Sequence, residues 1–83
     1  RDGVQVLVRA NEPVRAVAPG RVARIAPLPQ GGWAVVVAHE DRWVSVLTGL
    51  RAASVREGQT VAGGDEVGLP GRTLDGAPVL GVE

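Results

Sequence analysis

The residues able to do acid–base or metal chemistry are few in this chain. His39 is its single histidine, and it has no cysteine. A catalytic zinc ion takes about three protein ligands from histidine, cysteine or carboxylate and keeps one position open for water. The nearest set is the consecutive trio His39, Glu40 and Asp41. Neighbours on a strand point to opposite faces, so the trio does not converge. His39 reads as a strand-end histidine facing solvent. Ser45 and Ser54 have only His39 as a candidate base, and spacing alone does not pair them. The acidic pairs Glu40–Asp41 and Asp65–Glu66 read as turn charges rather than as a glycosidase pair. Gly63–Gly64 is not followed by the Gly-Lys-Ser/Thr of a phosphate loop.

The elements that would carry these residues are short. Val4, Val6 and Val8 alternate over 3–8 and predict a strand with one apolar face. Asn11-Glu12-Pro13 predicts a turn. Residues 14–18 and 21–26 read as strands joined by a Pro19–Gly20 turn. The apolar run 33–39 reads as a central strand buried on both faces, and Glu40-Asp41-Arg42 as the hairpin into a strand over 43–49. Further strands are expected at 60–62, 66–69 and 79–83. The only helical signal is one turn at Leu50-Arg51-Ala52-Ala53. The sum is an all-β antiparallel fold, a sandwich or rolled sheet, in a single domain over 1–83.

Composition bounds the rest. A chain of 83 residues buries only about 60% of the surface it exposes when unfolded. With two aromatic residues, its core must be built from valine, leucine and alanine, and valine favours strands. Net charge is zero, which gives nucleic acid or an anionic membrane no electrostatic hold. Absent cysteine fits a reducing compartment and an exported protein alike. Because the chain opens on Arg1 and stops inside a motif, it is expected to be a piece of a longer protein.

Four blocks of the sequence, taken in order, resemble a lysostaphin/LytM-type zinc endopeptidase domain. They are Gly3-Val4-Gln5-Val6 with Pro13-Val14-Arg15-Ala16 and Gly20-Arg21-Val22, then Gly32-Trp33 through His39, then Val55-Arg56-Glu57-Gly58 through Gly68, and finally Pro78-Val79-Leu80-Gly81-Val82-Glu83. The resemblance implies a LytM-type β-fold. It also implies ligand and catalytic positions that hold other residues here. The family's His-x-Gly-φ-Asp motif (φ apolar) falls on Arg1 to Gln5, so Arg1 stands for the histidine and Gln5 for the aspartate. Its Tyr-x-His motif falls on Leu47-Thr48-Gly49, so Gly49 stands for a catalytic histidine. Its His-Leu-His-Phe-Glu motif falls on Val79 to Glu83, so Val79 stands for the other catalytic histidine and Gly81 for the third ligand. Arginine is always protonated and donates no lone pair, and glycine and valine have no ligating atom. The expectation is a chain that is not an enzyme and holds no metal or other cofactor.

Strand alternation puts Trp43, Ser45, Leu47 and Gly49 on one face, and Val79, Gly81 and Glu83 on one face. With the resemblance, this predicts a shallow partner-binding groove floored by Gln5, Leu47, Gly49, Val79 and Gly81, with Arg1 and Arg51 at its ends. Apolar centres with arginine suit protein partners. The family resemblance extends to the EnvC-type murein hydrolase activators. It implies a periplasmic domain that binds and activates an N-acetylmuramoyl-L-alanine amidase in cell division, reaching a membrane complex only through a coiled coil outside this chain. Peptidoglycan itself is an alternative ligand. A third reading comes from Glu57 to Asp65, which resembles a lipoyl/biotinyl hammerhead. The chain has no lysine to carry the group, which leaves only an export-system adaptor.

The residue types at these positions predict that protein purified with added zinc shows no stoichiometric metal by elemental analysis. Tightly held stoichiometric zinc that is lost in His39→Ala would contradict this.

Overall fold

In the computed structural model, residues 4–7, 12–71 and 79–82 are described; for 4–7 and 79–82 this means the strands and their pairing. The strands are β1 (Val4–Leu7), β2 (Val14–Arg15), β3 (Gly20–Pro27), β4 (Trp33–Ala38), β5 (Val44–Ala53), β6 (Thr60–Val61), β7 (Glu66–Pro70) and β8 (Val79–Val82). Every pairing is antiparallel. The order across the sheet is β1-β8-β5-β4-β3-β6, with β2 on β7 and β7 on β5. Among the described residues no α-helix forms, and Glu40–Arg42 is a tight turn with positive φ at Asp41 and Arg42.

The core is built from valine, leucine and alanine, with Val22, Val35, Val37, Leu47, Leu50, Val61 and Val67 at its centre. In β4, Val35 and Val37 are buried while Ala34, Val36 and Ala38 are half-buried, so this strand is buried on one face and not on both.

Register shifts in β3 and β5, two of the four among the described strands, bear most on which residues reach this core. In β3 the pairs are Val22 with Val37 and then Arg24 with Val36. The extra residue, Ala23, lets both Val22 and Ile25 face the core despite their spacing of three. In β5 the pairs are Leu47 with Val35 and then Leu50 with Trp33. Thr48 and Gly49 oppose a single residue there, and Gly49 has φ 81°, the left-handed glycine that such a bulge accommodates. Leu50–Ala53 is therefore strand and not the expected helical turn. It is held by Trp33 on one side and by Leu69, Gly68 and Pro70 on the other, whereas one isolated helical turn cannot offset its nucleation cost.

The two turns on either side of β6 share one design. Gly58 and Gly64, with φ 87° and 88°, sit third in Arg56–Gln59 and Ala62–Asp65. The fourth residue's side chain then accepts the first residue's N–H, Gln59 Oε1 from Arg56 at 3.1 Å and Asp65 Oδ2 from Ala62 at 2.9 Å. Asp65 is thus a turn carboxylate as expected, and Glu66 accepts from Ser54 Oγ at 2.7 Å. Gly20 lies in β3 rather than in a turn. A Cβ there would run into the Ala38 carbonyl oxygen and the Val37 side chain, so the position demands a close backbone approach.

Leu50 is fully buried and Val17 is 60% exposed. Leu50→Ala is expected to cost about 2–5 kcal/mol in denaturant unfolding, and Val17→Ala to stay within about 0.5 kcal/mol. Equal costs would place the core elsewhere.

Candidate functional site

β1, β8 and β5 lie side by side, and their register fixes which expected site residues meet. Gln5 pairs with Gly81, and Gly81 pairs with Thr48. These three positions form one row across the sheet. Val79, two residues from Gly81, pairs with Leu7. Arg1 lies outside the described residues.

Gly49 and Arg51 come together at a second place, beside this row. They line an open cleft of about 420 Å³ with Trp33 and Gly71. The backbone is tightly apposed here: Gly71 N–H donates to the Gly49 carbonyl at 2.7 Å, and a Cβ on Gly32 or Gly71 would strike the carbonyl of Leu50 or Gly49. Trp33 is 39% exposed at the cleft wall. Sequence reasoning placed it in a buried strand. Its position at the strand's start, next to Gly31–Gly32, was the available signal.

Leu47 does not floor a groove. It is 2% exposed and sits in the core with Ser45 and Val35. The simple alternation that put it beside Gly49 fails because the bulge shifts the face after Leu47. Thr48 is the β5 residue that pairs into the row. The spacing of three between Leu47 and Leu50, with a glycine between them, signalled that shift. Trp43 precedes β5 rather than lying in it.

His39 also departs from its expected place facing solvent. Its Nδ1 lies 2.7 Å from the Pro19 carbonyl oxygen and its Nε2 lies 2.7 Å from Ser45 Oγ. A carbonyl only accepts, so Nδ1 donates to Pro19 O, and in that tautomer Nε2 accepts from the Ser45 hydroxyl. The structure therefore does pair Ser45 with His39, as a base would be paired with a nucleophile. Ser45 is 2% exposed, however, and no substrate reaches its oxygen. The pair ties the end of β4 to β5 and to the Pro19 bend. Among the described residues no buried side-chain polar atom lacks a partner.

The sequence profile of peptidase family M23 matches residues 1–83. The chain belongs to peptidase family M23. It is also similar to the uncharacterized protein NMB1333 of Neisseria meningitidis serogroup B (strain ATCC BAA-335 / MC58), at 38% identity over 63 residues. That likeness covers 76% of this chain and 11% of the relative. The zinc of M23 peptidases does not fit the residues present. Arg1, Gln5 and Gly81 supply one cation, one neutral amide and no side chain where a histidine–aspartate–histidine donor set would stand. Among the described residues, no three His, Cys, Asp and Glu side chains converge elsewhere.

Ser45→Ala leaves His39 Nε2 without its donor in a part-buried site. It is expected to lower stability by about 1–3 kcal/mol in denaturant unfolding, against a smaller change for exposed Ser54→Ala. A neutral Ser45→Ala would show that the His39 clamp contributes nothing.

Proposed function

We propose that this M23 domain is a non-catalytic partner-binding module that engages and activates a cell-wall amidase, an N-acetylmuramoyl-L-alanine amidase, in the periplasm during cell division. The observation that carries the reading is the Gln5–Gly81–Thr48 row. Positions that resemble the family's ligand sites are brought together by register, yet their residues offer no metal chemistry. A row that no longer serves hydrolysis but keeps its frame is suited to contact. The adjacent cleft supports this, since Trp33 and Arg51 are of the residue types that dominate binding energy at protein interfaces. The uncharged row of an amide, a hydroxyl and a glycine suits a neutral polar segment of a partner, with Arg51 offered to an acidic side chain beside it.

Gly49 is a poor place to test this reading, because any side chain at φ 81° is strained. Thr48 lies in β5 without a positive φ and is half-buried. Thr48→Arg is expected to fold with an unchanged melting temperature and to lower amidase-driven release of dye-labelled peptidoglycan at least tenfold. Arg51→Glu, at an exposed position, is expected to lower it severalfold. Full activation by both folded variants would remove the row as the contact surface. Failure of the unmutated full-length protein to activate any amidase of its organism would remove the activator reading itself.

A further inference from the structure

Toward the β6 end of the sheet, between the start of β3, the end of β4 and β6, lies a second open cleft of about 610 Å³, lined by Pro19, Arg21, His39, Glu40, Trp43 and Thr60 among others. Its volume falls in the range of small-ligand sites, about 300–1,000 Å³. The indole of Trp43 is 39% exposed there. It is nevertheless held: its ring stacks on His39 with centroids 3.9 Å apart and planes 17° from parallel. His39 is in turn fixed by Pro19 O and Ser45 Oγ, each at 2.7 Å.

The backbone that delivers Trp43 turns tightly. Asp41 and Arg42 have φ 62° and 65° in the connection between β4 and β5, and His39 N–H donates to the Trp43 carbonyl at 2.9 Å to close it. Aspartate tolerates this conformation, whereas arginine adopts it at a cost. Positive φ at two successive residues is the geometry of a tight hairpin turn, and here it sets where Trp43 emerges. Around the indole stand charges of both signs. Arg21 donates through Nε to Gly58 O at 3.2 Å, which orients its guanidinium, and Glu40 is exposed at the rim.

We propose that this cleft binds a neutral saccharide, with a pyranose ring stacked on Trp43. A sugar ring presents an apolar C–H face together with a rim of hydroxyls that both donate and accept. A pre-ordered aromatic plate meets the face without loss of side-chain freedom. A guanidinium supplies donors and a carboxylate supplies acceptors to the rim. One charge of each sign along the cleft favours a neutral polyhydroxyl ligand over an anion or a cation. An apolar peptide would leave Arg21 and Glu40 without matched partners. The site is separate from the Gln5–Gly81–Thr48 row and does not depend on the amidase reading.

The test is isothermal titration calorimetry of the full chain with chitotetraose, a neutral oligosaccharide. Saturable binding at millimolar or lower saccharide is expected. Trp43→Ala should weaken it at least tenfold, and Trp43→Phe, which keeps a ring, should weaken it less. Glu40→Ala is expected to weaken it severalfold with the melting temperature unchanged, which separates ligand contact from damage to the His39–Trp43 stack. No saturable heat with the unmutated chain, or binding that Trp43→Ala and Glu40→Ala both leave unchanged, would overturn the proposal. Binding of an uncharged alanine–proline peptide in place of the saccharide would overturn it too.

Discussion

A left-handed glycine in the middle of a ten-residue strand governs the arrangement of this domain. Gly49, at φ 81°, lets β5 carry one more residue than β4 across the bulge. Before it, Ser45 and Leu47 face the core; after it, Leu50 does. The same offset frees Thr48 to pair with Gly81 and leaves the Gly49 carbonyl to accept from Gly71. One strand thereby joins β4, β7 and β8. Replace the bulge by regular pairing and every later side chain of β5 changes face, taking Leu50 out of the core.

This constraint also explains what sequence reading reached and what it missed. Strand positions were legible because valine alternates at period two and glycine and proline mark the breaks. The aliphatic core followed from composition, since two tryptophans could not fill it. The turn role of Asp65 followed from its place after Gly63–Gly64. Face assignment failed at Leu47 because period-two reasoning carries through a strand only while the strand is unbroken. His39 was misplaced for a different reason. Its partners, Pro19 and Ser45, are set by β3 and β5 crossing beside β4, and no local pattern encodes that meeting. Of the expected site residues, Gln5 and Gly81 meet in register, and Gly49 and Arg51 meet in one cleft, whereas Leu47 belongs to the core. Trp33 was the unrecognised member of that cleft.

The family frame and the proposed role fit together physically. In this sheet the row through β1, β8 and β5 is held by backbone pairing, so its shape rests on the ladder and not on a metal. Substituting glycine or glutamine there changes what the row can bind while leaving the ladder of Gln5, Gly81 and Thr48 intact. Contact with a partner needs only a rigid surface with a few well-placed aromatic and arginine side chains. Trp33 and Arg51 supply these at the bulge.

The central claim is that the family frame persists and only the liganding side chains differ. Restoring them tests it most directly. In a variant combining Arg1→His, Gln5→Asp and Gly81→His, the donor set would match the family motif while Gly49 and its bulge stay untouched. The account predicts stoichiometric, tightly held zinc by elemental analysis, with a raised melting temperature that chelator reverses. A folded triple variant that takes up no zinc would contradict it, because the row would then not have the geometry that the register implies.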